Sequence, residues 1–95
     1  MLSVLNAEYV EGYKLYLAFN NGRSGIADLE KVVLNDKRPI FSKLKKEEDF
    51  KNFKVDHSTV IWSDELDLAP EYLFYLAFVE DNKYQEQFKR WGYIT

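Results

Sequence analysis

The segment Tyr13-Lys14-Leu15-Tyr16-Leu17-Ala18-Phe19, followed by Asn20-Asn21-Gly22-Arg23, leaves this chain the least freedom. Tyr13, Leu15, Leu17 and Phe19 fall on one side of a two-residue period, which marks a strand with one buried face. Asn-Gly favours a type I′ turn, whose central residues both need positive φ. The chain must then return antiparallel through Arg23-Ser24-Gly25-Ile26-Ala27. Leu2, Val4 and Tyr9 alternate less regularly with Ser3, Asn6 and Glu8, so a further strand precedes the hairpin. Up to Asp28 the chain reads as a meander of two or three strands.

Asp28 is placed to cap a short helix over residues 29–34 by accepting a backbone N–H. Pro39 bars a helix across the loop that follows. Residues 45–52 read as a charged helical turn that carries Phe50 inward. Phe53 and Val55 open a strand, residues 56–59 turn the chain, and Val60-Ile61-Trp62 return as a second hairpin. An acidic turn, Ser63-Asp64-Glu65-Leu66-Asp67, leads to Pro70 at the first position of a helix, where its missing N–H is harmless. Residues 72–79 are apolar on all sides. They read as a buried helix, with a buried strand as the alternative. Tyr84, Phe88 and Trp91 stand at i, i+4 and i+7 on a last helix, which Gly92 ends.

The expectation is an α+β domain. It has one small antiparallel sheet of about four to five strands, built from an N-terminal meander and a second hairpin, with short helices and a C-terminal helical segment. At 95 residues the chain is one domain. Residues 1–79 form its body and 80–95 an aromatic helical extension. With 46% hydrophobic and 17% aromatic residues it is too apolar for disorder. No Cys is present, which excludes disulfides and thiolate chemistry and fits a reducing cytoplasm. Met1 to Asn6 has no basic region or long apolar run of the signal-peptide kind. The longest apolar run falls far short of the roughly 20 residues that span a bilayer. Cytoplasmic placement without membrane contact is the expectation.

In order and spacing, several stretches resemble the domain of unknown function 2442 family. They are Tyr13 to Arg23, Asp28-Leu29, Phe41-Ser42-Lys43-Leu44, Phe50, Val60-Ile61-Trp62-Ser63 and Asp67-Leu68-Ala69-Pro70-Glu71-Tyr72-Leu73. The resemblance runs over residues 2–79. It implies a compact α+β domain in the bacterial cytoplasm, with no established activity. It also implies a small protein partner, as in a toxin–antitoxin pair. Some family members carry a helix-turn-helix segment, for which residues 80–95 are too short. The usual Gly-containing turn after the Trp is here Ser63-Asp64-Glu65-Leu66.

Asp64, Glu65, Asp67 and Glu71 are the densest carboxylate group. Carboxylates converging from a strand end and a helix start could hold a divalent metal or a small ligand. The same residues stabilise a turn and a helix N-terminus, which is the plainer account. His57 is the only histidine. Beside Asp56 and Ser58 it offers a base, but neighbours along a strand or tight turn face different ways, and a triad needs convergence. Lys43, Lys45, Lys46, Lys51 and Lys54 are interrupted by Glu47, Glu48 and Asp49, so they make a solvated face and not a cationic groove. Trp62 covers the sheet, its N–H seeking a partner. Tyr84, Phe88 and Trp91 either fold back onto the core or form an exposed face of the composition that dominates binding hot spots.

These features describe a small non-catalytic interaction module that binds another small protein or itself, with Tyr84, Phe88, Trp91 and Trp62 as contacts. A homodimer and an antitoxin-like role are its specific versions. The alternative is an enzyme-like domain binding a metal or small ligand through Asp64, Asp67, Glu71 and His57. No motif calls for a cofactor. The net charge of −3 disfavours a third class, a nucleic-acid-associated regulator.

Overall fold

The computed structural model describes the chain apart from residues 36–38, 64–65 and 95. The first three strands are β1 (Val4–Glu11), β2 (Lys14–Phe19) and β3 (Ser24–Asp28), followed by the short helices α1 (Glu30–Asn35), α2 (Pro39–Ser42) and α3 (Glu47–Lys51). Then come β4 (Lys54–Asp56), β5 (Thr59–Ser63) and β6 (Leu66–Leu68), then α4 (Pro70–Ala77), a 3-10 turn (Asn82–Tyr84) and α5 (Gln85–Trp91). The strands make two antiparallel sheets, in the orders β1-β2-β3 and β4-β5-β6.

The α+β class read from the sequence is the observed one, but among the described residues there are six strands in two sheets instead of four or five in one. The additional strand is β6, which the sequence disguises as part of the acidic turn. It is three residues long, too short for alternation to stand out, yet Leu66 and Leu68 are buried and Asp67 between them is exposed. Val60 pairs with Leu68 and Ile61 with Asp67. The Thr59 hydroxyl donates to the Leu68 carbonyl, so the one buried polar side chain of the core is satisfied among the described residues.

The first hairpin also departs from the type I′ expectation. The Gly22 N–H donates to the Phe19 carbonyl (3.2 Å), and the Phe19 N–H donates to that of Arg23 (2.8 Å). Of the turn residues only Gly22 has positive φ, at 82°. This is a three-residue loop ending in a left-handed glycine, the next most common hairpin form after the two-residue turns. The Asn20 side chain then holds the start of β1, accepting from the Ser3 N–H (2.9 Å) and donating to the Met1 carbonyl (2.7 Å).

Three residues stand outside the ladders. The register slips between Val4 and Asn6, between Tyr9 and Glu11, and between Ile61 and Ser63. Leu5, Val10 and Trp62 are therefore bulge residues, and a bulge re-aims the side chain and increases the twist. At Trp62 the result is visible: its indole N–H donates to the Phe50 carbonyl (2.8 Å) and its ring lies 5.7 Å from that of Phe50.

Leu15, Leu17, Phe19 and Ala27 face one continuous core with Leu29 and Val33 of α1, Phe50 of α3, Val60, Leu66 and Leu68 of the second sheet, Leu73 and Phe74 of α4, and Phe88 of α5. α4 lies against β3. A Cβ on Gly25 would sit 3.2 Å from the Phe78 ring, so a larger residue there would make that ring give way by a few tenths of an ångström. Residues 70–77 are helical, as preferred over the strand alternative. α5 is joined to the end of α4 by the Gln85 amide, which donates to the carbonyls of Val79 (3.0 Å) and Asp81 (2.8 Å). It ends in a Schellman motif, with Gly92 at φ 86° and bonds from Gly92 N–H to Lys89 and from Tyr93 N–H to Phe88.

The second hairpin turns on His57 and Ser58, both left-handed at φ 51° and 69°. That geometry suits a type I′ turn but is disfavoured for residues with a Cβ, by roughly 1–2 kcal/mol each. The His57 N–H donates to Asp56 Oδ1 (2.8 Å), and the Ser58 carbonyl accepts from the Val4 N–H (2.9 Å), which couples the turn to β1. Combining His57→Asn with Ser58→Gly puts the preferred type I′ pair at the turn, relieves the conformation and keeps both backbone bonds. The double variant should gain about 1–2 kcal/mol in urea unfolding, and an unchanged or lowered midpoint would show that the turn is not strained.

Candidate functional site

An open cleft of about 540 Å³ lies where α1, α2, β6 and the first turn of α4 meet. Its walls are Lys31, Val32 and Asn35 of α1, Phe41 of α2, Asp67 and Leu68 of β6, then Ala69 and Tyr72. Lys31 and Asn35 share a wall because they are four residues apart on a helix. Asp67 reaches the cleft because the strand alternation that buries Leu66 and Leu68 turns it outward. The volume lies within the roughly 300–1,000 Å³ range of ligand sites, and the lining combines an apolar floor with one cation, one carboxylate and one amide.

The acidic group of the sequence is not gathered into one site by the described residues. Asp64 and Glu65 lie outside them. Asp67 is exposed on the cleft, and Glu71 is half-buried in the first turn of α4. Glu71 acts electrostatically on Tyr93, whose hydroxyl pKa is raised first by burial and then by that carboxylate. Tyr93 packs 5.5 Å from the Tyr72 ring and 5.0 Å from that of Tyr75. His57 projects into solvent at the hairpin tip, its Nε2 3.8 Å from Asp56 Oδ2. Among the described residues no three His, Asp or Glu side chains are grouped so as to hold a metal ion.

The aromatic candidates divide differently. Phe88 is fully buried, 6.3 Å from Phe74 and 5.1 Å from Tyr75. Tyr84 and Trp91 flank it, half-buried, 4.9 and 6.1 Å from Phe74. The stripe thus packs on α4, and only the outer edges of Tyr84 and Trp91 reach solvent. Trp62 is half-buried against Phe50. The contiguous exposed apolar residues lie elsewhere, on the outer face of the first sheet. Tyr16 and Ile26 are cross-strand partners, 37% and 49% exposed.

A small electrostatic cluster joins β1 to α3. Lys51 Nζ is 3.0 Å from Glu47 Oε1 and 4.7 Å from the centre of the Tyr9 ring. The hydrogen bond from Lys51 first, then the nearby Tyr9 hydroxyl, holds the Glu47 carboxyl below its ordinary pKa. Glu47 in turn raises that of Lys51. The Tyr9 hydroxyl is raised, first by burial and then by Glu47, and it donates to the Gly12 carbonyl (3.0 Å).

Two features here escaped the sequence. The cleft needs α1 and β6 side by side, and β6 gave no signal of its own. The Glu47–Lys51 pair was visible as an i, i+4 spacing inside a charge run and Tyr9 as part of a first strand, but no local signal brings that strand beside α3.

A family model described as a protein of unknown function, DUF2442, matches residues 4–78, most of the chain. No curated protein and no solved structure matches. Among the described residues no helix is long and apolar enough to cross a membrane.

Glu47, Lys51 and Tyr9 all fall inside the matched span, and their coupling has a definite pH signature. A carboxyl lowered on folding stabilises the fold above its ordinary range, and that contribution disappears as pH falls through the lowered value. Lys51, raised on folding, contributes below its ordinary range and loses this as pH rises through the raised value. Glu47→Gln should lower the Tm slightly at pH 7. The gap from the parent should close on acidification below the carboxylate range. A gap that persists in acid would assign the loss to packing and not to charge.

Proposed function

Because the chain belongs to the DUF2442 family, whose description assigns no activity, its role has to be read from its own surface, and we propose that it is a non-catalytic protein-interaction module. The observation that carries this is the outer face of the first sheet. Tyr16 and Ile26 lie side by side across β2 and β3, with Ala18 next on β2. On the neighbouring strand the bulge residues Leu5 and Val10 are 63% and 43% exposed. Glu8, Lys14 and Asp28 stand on or beside these rows. An apolar centre with a charged border is the usual anatomy of a protein contact surface. The core is complete without these side chains, so their exposure serves no folding need, and covering them would recover about 25 cal/mol per Å².

The antitoxin-like pairing implied by the family resemblance is one form of this function, and self-association is another. In either, Tyr16 is the anchor, since a Tyr at the centre of an interface contributes the most per residue. Tyr16→Ala should leave the Tm within about 2 °C of the parent, in keeping with the small effects of surface changes. It should weaken the partner complex roughly 30-fold, about 2 kcal/mol. The partner is the protein retained stoichiometrically by tagged chain from its native cell extract after nuclease treatment. Equal retention by parent and variant would remove the outer face as the contact surface, and retention abolished by nuclease would favour nucleic acid.

The cleft leaves room for a second function, binding of a small ligand near Asp67, and its divalent-metal form, for which the described lining supplies one carboxylate, is the most easily tested. Thermal shift with Mg²⁺, Mn²⁺, Ca²⁺ and Zn²⁺ distinguishes it. A ligand that binds only the folded state adds about 2.7 kcal/mol at 100 times its Kd. Asp67→Asn should abolish that shift, and a flat response to all four ions would count against the metal form of this site.

A further inference from the structure

β3 is the outermost strand of the first sheet, and its backbone polarity follows from the ladder. The Phe19 N–H donates to Arg23 and the Leu29 N–H donates to Tyr13. These belong to the same register in which Lys14 pairs with Asp28 and Tyr16 with Ile26. Hydrogen-bonded and non-bonded pairs alternate along an antiparallel ladder. Gly25 and Ala27 therefore turn both N–H and C=O toward β2, as Arg23 does its C=O and Leu29 its N–H, while Ser24, Ile26 and Asp28 turn theirs to the open edge. Among the described residues no other element bonds to the backbone of Ser24, Ile26 or Asp28.

The two edges of this sheet are treated differently. β1 is broken by bulges at Leu5 and Val10, carries Glu8 and Glu11, and is tied to the second hairpin through Val4 and Ser58. Those are the devices that keep an edge from pairing with another chain. β3, Ser24-Gly25-Ile26-Ala27-Asp28, is regular in register and has no Pro, Lys or bulge.

We propose that β3 pairs antiparallel with β3 of a second copy, about a two-fold axis at Ile26, making one six-stranded sheet across the dimer. This goes beyond the outer-face contact proposed above, since the edge of β3 is a separate surface from the Tyr16 face. The register is self-complementary. Ile26 faces Ile26 of the other copy, and Ser24 faces Asp28, a hydroxyl opposite a carboxylate with no like charges opposed. Axes at Gly25 or Ala27 would also match bonding parity, but they would leave Asp28 or Ser24 without an opposite number in the strand. Only the Ile26 axis uses all three outward residues. It also extends the Tyr16–Ile26 row into a four-residue apolar row over the joined sheets. A contact of this size is small, so the expected dimer is weak, with a Kd on the order of micromolar.

The test is sedimentation equilibrium over a concentration series, with amide exchange at both ends of it. The parent should double its mass as concentration rises, and the Ser24 and Ile26 amides should become protected only in the dimer. Ile26→Lys brings two like charges together at the axis and should give a folded monomer with an unchanged Tm. Should that variant lose stability, Ile26→Thr, which keeps β-branching, is the second probe and should shift the equilibrium toward monomer. Ala18→Lys lies on the outer face away from the edge and should leave the dimer intact. A parent that stays monomeric, or a dimer whose Ile26 amide exchanges freely, overturns the edge pairing. Neither result touches retention of a different protein through Tyr16, so the broader function fails separately. A dimer lost in Ala18→Lys but kept in Ile26→Lys would mean that two outer faces stack, and would also overturn the proposal.

Discussion

The packing of Phe74 is the contact on which most of the fold depends. Its ring meets Phe19 of β2 edge-on at 5.1 Å, Phe78 at 4.6 Å, Tyr84 at 4.9 Å and Trp91 at 6.1 Å. One side chain thus joins the first sheet, α4, the 3-10 turn and α5. Helices this short have little independent stability, since isolated helices under about 12–15 residues are marginal in water. They persist because they deliver aromatic rings to a common point. A void in place of one such ring is worth about 3–5 kcal/mol, a large part of the 5–15 kcal/mol that separates folded from unfolded domains.

Phe50 organises the other end. Tyr13 meets it edge-on at 5.3 Å, Tyr9 at 6.2 Å and Trp62 at 5.7 Å. The Tyr13 hydroxyl donates to the Lys45 carbonyl, and the Trp62 indole donates to that of Phe50 itself. The α3 turn is therefore held by rings from both sheets and by two polar tips. This explains the unusual aromatic content. A 95-residue chain with no disulfide fills its core with side chains that bury much area for little lost rotamer freedom, and the tyrosines end in hydroxyls that can reach backbone or solvent.

What was legible in the sequence depended on whether a signal was local. β2, its glycine-ended turn, Asp28 with its bond to the Glu30 N–H, Phe50 on its helical turn, Pro70 at the helix start and Gly92 at the last helix end all rest on neighbours within a few residues. What was hidden rested on distant partners. β6 is specified by Val60 and Ile61 across a ladder more than by its own three residues. The bulges at Leu5, Val10 and Trp62 exist only relative to another strand. The turn at residues 56–59 was legible, but nothing local marks His57 and Ser58 as left-handed. The carboxylates near α4 looked like one group because they are close in sequence. In the fold Asp67 leaves on a strand toward the cleft and Glu71 acts on Tyr93, and among the described residues no three carboxylates group as a metal site.

The distribution of exposed apolar residues follows from the same architecture. β5 is covered on both faces: Thr59, Val60 and Ile61 are buried in succession. The first sheet is not, because the core takes only its Leu15, Leu17 and Phe19 side. Asn6, Glu8, Tyr16, Ser24, Ile26 and Asp28 are all exposed on or beside the other face. A sheet face with no folding role would be free to become wholly polar, as antiparallel sheets with one wet side commonly are. Here the central positions of β2 and β3 instead hold Tyr and Ile. The strand beside them leaves its ladder twice, and each time the displaced residue, Leu5 or Val10, is apolar and exposed. Solubility opposes these choices, and under the interaction-module function proposed above contact with another polypeptide is what makes them favourable.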